Sequence, residues 1–489
     1  MSRALKVLGL VLGLVLLGLV AVVLVRALTV SSRQLSVAPA ARVALDEAQL
    51  ASRLAGSIPF RTIWAAEGRD IEAFTGFRAY LKTTWPLVHE KLQREEVGES
   101  LLFTWPGSDL TLAPIVLMAH QDVVPVEAGT EGKWSHPPWE GKIADGFVWG
   151  RGTADDKGSL CATLEAVSVL LAEGFAPRRT VYLAMGHDEE VRGAGAQALV
   201  AALEARKVKP LWVLDEASAI TDGVIKGLAP KAALIAVAEK GFLTLELKVE
   251  GEGGHSSMPP PHTNAGILAA AITRLEASPF PGSFDGPVGE FFDALGPEMA
   301  FGPRLALSNR WLFGPLLLRQ LSAAPGTNAA LRTTTAVTML ASGVKDNVLP
   351  RTAWAAVNFR IRPGETRASV EARVREVIAD DRVGVTASAA SLSSDPSPVS
   401  PVDGEGYRLI ERTIRAMFPG TVVAPMTSNG ASDSRFFTRI SPQVYRFVPI
   451  VFRAEDLPRL HGVDERLGVA AYADMVRFYR QLLVDAQEP

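Results

Sequence analysis

The chain has 489 residues, 48% of them hydrophobic and 21% charged, with a formal net charge of -3. That length exceeds one small core and predicts two or three structural units. The near-neutral charge, with basic residues dispersed along the chain, excludes a nucleic-acid partner. A single cysteine, Cys161, excludes an internal disulfide and a multi-thiolate zinc site, so a metal here depends on His and carboxylates. Its place in an apolar helical stretch reads as packing.

The N-terminus departs from this average composition. Val7–Val25 is an uninterrupted apolar run, preceded by Arg3 and Lys6 and closed by Arg26. At about 1.5 Å per residue it spans roughly 28 Å, the hydrocarbon thickness of a bilayer. It has no polar face, as a core helix would. Arg26-Ala-Leu-Thr29 is a poor cleavage site. The sequence therefore predicts an uncleaved single-pass anchor over residues 1–30, with secretion after signal cleavage as the alternative. Basic residues ahead of the run put the body of the chain outside the cytoplasm, on the periplasmic or extracellular side.

Ser31–Ala41 reads as a linker. From there to about Ala238, apolar runs alternate with helical patterns, which predicts strands joined by crossover helices. Pro114–Ala119, Thr180–Met185 and Leu211–Leu214 are three such strands, each followed by His or acidic residues. Active sites of open α/β sheets lie just there, beyond the carboxyl ends of the strands. From Gly241 to Glu250 the pattern switches to period two, a half-exposed strand. A helix (Ala265–Glu276), strands Thr333–Leu340 and Thr352–Ile361, a helix (Ser369–Ala379) and a strand (Val383–Ala387) follow. Residues 278–330, rich in Pro, Gly and Phe, fit no pattern. After a Ser/Pro-rich linker, Ser391–Pro401, come a helix (Gly406–Met417), a strand (Gln443–Val448) and a closing helix (Leu467–Ala486). The fold class is α/β: a catalytic domain with a mostly parallel central sheet (42–238 and 400–489), interrupted by a smaller α+β insert (239–392).

Five segments carry the chemistry. In His120-Gln-Asp122, residues two apart on a strand share a face, so Asp122 can hold the His120 ring. Trp149-Gly-Arg-Gly-Thr-Ala-Asp-Asp-Lys-Gly158 sets two aspartates before a helix; Asp156 suits a helix cap, and two aspartates exceed what a cap needs. His187-Asp-Glu-Glu190 and Asp215-Glu216 each follow a strand, and His461-Gly-Val-Asp-Glu465 precedes the last helix. Together they supply two His and at least three carboxylates, enough for two metals sharing a bridging carboxylate.

HxD, GRGTADDKG, DEE, LDE and HG, in this order, resemble the M20 family of dinuclear zinc peptidases and aminoacylases. Gly254-His-Ser-Ser-Met-Pro-Pro260 is similar to its carboxypeptidase S and N-acyl-amino-acid hydrolase branch, and the likeness runs from about residue 45 to 485. The resemblance implies two Zn2+ per chain, with Co2+ or Mn2+ as substitutes. It assigns His120, Asp155 and Asp215 to one metal and Asp155, Glu190 and His461 to the other. It makes Glu189 the general base, Asp122 the carboxylate behind His120, and the Asp155–Asp156 peptide bond cis. His255 would stabilise the oxyanion, reaching the site from a partner chain or after closure of the insert, which acts as a lid and dimerisation domain in relatives. The other histidines, His89, His136, His187 and His262, match no ligand position and read as structural.

Asn347 and Arg360 match residues that hold a substrate's free carboxylate in relatives, and an Arg supplies charge and orientation together. The leading reading is a metallopeptidase of carboxypeptidase or dipeptidase type. The runner-up is an amidohydrolase of N-acyl, including N-fatty-acyl, amino acids, and a non-catalytic binding protein is remote because every ligand position is filled. One departure bears on substrate: Leu214-Asp-Glu-Ala-Ser218 stands where near relatives carry LDEGG.

Overall fold

Two burial patterns along the strands produce two sheets. In the computed structural model, which describes residues 3–65 and 68–487, Ile115–His120, Val181–Gly186 and Trp212–Asp215 are buried at every position. The first two residues of the expected anchor and the last two of the catalytic segment lie outside the described residues. Strands apolar on both faces belong between two layers, and these three lie side by side, parallel, with Val444–Arg446 continuing the parallel run. Leu117 and Leu183 face a core built with the helices Lys157–Ala172 and Val469–Asp485, while Val116 and Tyr182 face the helix Ala194–Ala205.

Beyond this centre the sheet turns antiparallel. The hairpin Gln93–Val97/Ser100–Trp105 closes through Gly98 and Glu99, with Gly98 at φ 62, and pairs against Val181–Gly186. On the other side Ala232–Glu239 runs against Val444–Arg446 and Ile220–Thr221, but parallel to Val422–Ser428. The sheet is therefore mixed, with five of its nine strand pairings among the described residues parallel, and antiparallel strands enter where tight hairpins need no crossover helix.

The second sheet is antiparallel and four-stranded, in the order Thr334–Ser342, Thr352–Ile361, Gly241–Glu250, Gly384–Ala387. Leu243, Leu245, Leu247 and Val249 alternate onto the helices Asn264–Ala277 and Arg367–Ile378. The chain crosses between the sheets at Glu239–Gly241 and returns along Ser391–Pro401, which bonds to both: Phe242 N–H to Ser394 O (2.9 Å) and Ser400 N–H to Val237 O (2.8 Å).

Residues 278–330 form four short helices, Pro287–Leu295, Phe301–Ser308, Arg310–Leu321 and Pro325–Leu331. Leu295, Met299 and Leu307 from this segment pack on Val422 and Ala424 of the larger sheet. The N-terminal helix, Arg3–Thr29, is the one helix among the described residues long and apolar enough to cross a membrane. Only Val23 and Ala27 of it are buried.

Candidate active site

His120 is the last residue of a buried strand, and its ring stands between two aspartates. Nδ1 lies 3.0 Å from the Asp122 carbonyl and 3.3 Å from Asp122 Oδ1, and Nε2 lies 3.0 Å from Asp155 Oδ1. The other oxygen of Asp155, Oδ2, is 2.9 Å from His461 Nε2, which in turn lies 3.3 Å from Glu190 Oε1. One carboxylate thus spans two imidazoles from opposite ends of the chain. Ligand atoms of His120, Asp155 and Glu190 all lie within 4.8 Å of one another.

Asp122 does more than face His120. Its carboxylate accepts the backbone N–H groups of Glu189 (3.2 Å) and Glu190 (3.0 Å), so one side chain sets both the ring and the acidic turn. Of the three acids in that turn, Asp188 points away and caps the helix Ala194–Ala205 through the N–H groups of Ala194 and Gly195. Glu189 and Glu190 line the cleft.

The Asp155–Asp156 bond is cis. Asp156 occupies the N-cap position of Lys157–Ala172 without making a side-chain cap; its Oδ2 accepts the His120 N–H at 3.3 Å instead. The capping role expected for its side chain gives way because the turn aims it at the strand end. Asp215 Oδ2 accepts the Ser434 N–H at 2.9 Å, and Asp215 stands outside the His120–Asp155–Glu190 trio.

The electrostatics test whether metals fit. Burial, reinforced by Glu216, Asp433 and Glu190 and opposed by His120, pushes the Glu189 carboxyl well above the ordinary range. Burial likewise raises Glu216 and Asp433, and raises Asp156 to about 8. Contacts with Asp155 and Glu190 push His461 up to about 10. Both oxygens of Asp433 are buried without a hydrogen-bond donor among the described residues. Carboxylates crowded this closely need protons or cations between them. Imidazole nitrogens and carboxylate oxygens at this spacing are a donor set suited to zinc.

The cleft has a volume of about 1160 Å3. Asp155, Glu189, Glu190, Glu216 and His461 form its acidic end; Phe242, Leu392, Met426, Phe452, Leu457 and Leu460 are among its apolar lining. Arg360 lies in the wall, its guanidinium 4.5 Å from the Phe242 ring centroid. His255 and Asn347 do not reach the cleft in one chain. They sit together on an exposed arm of the insert, where Gly254–His255 pairs with Val348–Leu349 and Ser256 N–H bonds to Asn347 O.

Ala217 adopts φ 80 and, with Ser218, borders the cleft. The Ser218 hydroxyl lies 2.6 Å from both Leu234 O and Arg446 O, so it ties two strands of the sheet together.

The profile of Peptidase family M20/M25/M40 matches residues 116–485. The chain belongs to this family. It is 44% identical over 459 residues to the N-fatty-acyl-amino acid synthase/hydrolase PM20D1 of Homo sapiens, covering 92% of this chain and 89% of that one. It is 32% identical over 455 residues to carboxypeptidase S of Saccharomyces cerevisiae, covering 84% of this chain and 78% of that one. Among solved structures, the M20 family metallo-carboxypeptidase Sso-CP2 from Sulfolobus solfataricus shares the fold, with a TM-score of 0.63, 18% identity, and coverage of 90% of this chain and 99% of that chain. This M20 chain is a metal-dependent hydrolase.

Several M20 site residues carry no role in the motif reading. Glu465 accepts the N–H groups of Gly152 (2.9 Å), Ala154 (3.0 Å) and Asp155 (3.2 Å) and pairs with Arg151. Arg151 also donates to the carbonyls of His461 (3.0 Å) and Gly462 (3.1 Å). The pair binds the aspartate turn to the His461 loop. Both residues stand inside the quoted motifs, so proximity to ligands was the available signal. Glu216 and Lys240 line the cleft; Glu216 was visible as the second acid after a strand, Lys240 was not.

Proposed function

We propose that this M20 chain hydrolyses N-acyl amino acids with long acyl chains, using two zinc ions. This reverses the order of the two readings that the motifs favour. The observation that carries it is the cleft: about 1160 Å3, acidic at one end, with an extended apolar lining and Arg360 in its wall. A dipeptide needs a fraction of that volume, whereas a fatty chain gains about 0.8 kcal/mol per buried CH2. The likeness to the human synthase/hydrolase of N-fatty-acyl amino acids supports the same substrate. Peptide hydrolysis by the same residues is the second reading, supported by the likeness to carboxypeptidase S.

In this proposal His120, Asp155 and Asp215 hold one zinc and Asp155, Glu190 and His461 the other. Bound there, the pair would polarise the scissile carbonyl and lower the pKa of the attacking water toward about 7. Glu189 takes the proton of the attacking water and delivers it to the leaving nitrogen as the C–N bond breaks. Asp122 and Asp156 keep His120 in place through its ring and its backbone N–H. Arg360 pairs with the substrate carboxylate, which sets the amide in register with Glu189. His255 supports the oxyanion and Asn347 the carboxylate once the exposed arm is delivered, by closure of the insert (239–392) or from a second chain in a homodimer.

We place the body (42–238 and 400–489) outside the cytoplasm, anchored by an uncleaved Arg3–Thr29 helix. The contact between this helix and the body supports retention: buried Asn309 donates to Val23 O at 3.0 Å, and Ala27 is fully buried.

The test is a substrate panel on the full chain purified in detergent. N-oleoyl amino acids should be cleaved with far higher kcat/KM than N-acetyl amino acids or dipeptides. Equal or better turnover of dipeptides would select the peptidase reading, and no turnover of either would overturn both.

A further inference from the structure

Residues 301–321 contain three basic residues (Arg304, Arg310 and Arg319) and no Asp or Glu, in a chain of net charge -3, although Arg310 pairs with Asp293 of the preceding helix. Within that stretch the helices Phe301–Ser308 and Arg310–Leu321 leave large apolar side chains in the open. Phe301 is 48% exposed, Trp311 55%, Leu312 38% and Leu316 61%. Aromatic and leucine side chains interleaved with Arg, free of acids, are the composition of a surface seated at the boundary between headgroups and acyl chains.

Position decides what covers this surface. The N-terminal helix ends on it: Val23 and Ala27 are buried, Arg26 Nε donates to Ser308 O at 3.2 Å, and Asn309 Nδ2 donates to Val23 O. The chain beyond the helix is not a loose tether. Gln34 Oε1 accepts Val423 N–H at 2.7 Å and its amide donates to Val423 O at 3.0 Å, while Ala40 N–H bonds to Ala416 O. A bilayer that holds Arg3–Thr29 therefore begins close to Ser308 and Asn309, where the helices Phe301–Ser308 and Arg310–Leu321 meet, and the bonds of Gln34 and Ala40 hold the body against it.

We propose that Phe301–Leu321 is a second membrane contact, an interfacial helical pair that docks the catalytic body onto the bilayer spanned by its own N-terminal helix, with preference for anionic lipid. This rests on the anchor reading above. The partner is a lipid surface, recognised by the basic charge of the segment and by the four exposed apolar side chains.

The single native cysteine makes the test clean, because Cys161 is fully buried. Leu312→Cys and Leu316→Cys are introduced separately into the full chain and labelled with an environment-sensitive fluorophore, with Leu110→Cys, 81% exposed on the body, as reference. Each is reconstituted into phosphatidylcholine vesicles with and without phosphatidylglycerol. The expected result is blue-shifted emission at 312 and 316, quenched by lipids spin-labelled in the acyl chain and stronger with phosphatidylglycerol, with no change at 110. Water-exposed emission at 312 and 316 in protein that stays with the vesicles through carbonate washing overturns the proposal while leaving the anchor standing. Protein released by that wash overturns the anchor itself. An equal shift at all three positions also refutes a specific docking face.

Discussion

Breaking the Arg151–Glu465 pair tests how the metal-facing loops are held. The two side chains are 2% and 1% exposed, so neither charge has water to fall back on. Arg151→Met leaves Glu465 buried with three backbone N–H donors, and Glu465→Gln leaves the Arg151 charge with two carbonyls. Removing one partner of a buried pair costs roughly 3–5 kcal/mol, and the surviving hydrogen bonds argue for about 3 in each variant. The double variant has no stranded charge, so its loss should be about 3 kcal/mol rather than 6, a coupling of about 3 kcal/mol. Unfolding by urea of the full chain in detergent, at about pH 8, measures the cycle. That pH lies above the value of about 7 to which burial raises Glu465, opposed by Arg151. Losses that add to within about 0.5 kcal/mol would refute the pairing argument. The sign with pH follows too. Between about 4.3 and 7 the folded carboxyl keeps a proton that the unfolded chain has lost, so its contribution to stability falls as pH rises. Glu465→Gln should remove that slope.

Arg360→Met should lower kcat/KM for carboxylate-bearing substrates by about 10- to 150-fold, from loss of roughly 1.5–3 kcal/mol, and leave the corresponding carboxamides unchanged. Glu189→Ala should lower kcat by at least about 100-fold with the metal retained, as read by elemental analysis; full activity would remove Glu189 from the chemistry. Ala217→Gly frees a left-handed position and should stabilise the chain by about 0.5–1 kcal/mol in the same urea assay.

The half-exposed strands were the most legible part of the sequence. Gly241–Glu250 and Thr352–Ile361 show their period in side-chain polarity and have the bounds expected of them. The hairpin Gln93–Trp105 was hidden because Arg94, Glu95 and Glu96 break any apolar alternation. Strand direction is not written in an apolar run, so the antiparallel members of a mostly parallel sheet could not be told apart in advance. The helices of residues 278–330 escaped notice because Pro and Gly punctuate them and their apolar residues are split between a core and the surface.

At the site, the motif residues Asp155, Glu189, Glu190 and His461 line one cleft, with His120 behind Asp155. What motifs could not convey was the work of the neighbours. Asp122 serves the acidic turn as well as the His120 ring, Asp156 serves a backbone N–H rather than a helix cap, and Glu465 serves three N–H groups at once. Those roles depend on where a turn aims its side chains, which spacing alone does not encode. His255 and Asn347 share one exposed arm away from the cleft, a separation that the motif order does not reveal.

Metal content bears most directly on the central claim. Elemental analysis of the active full chain, purified without added metal, should return two zinc ions per chain, falling together with activity on chelation and restored by zinc. Active protein with no bound metal, or activity indifferent to its removal, would contradict the account.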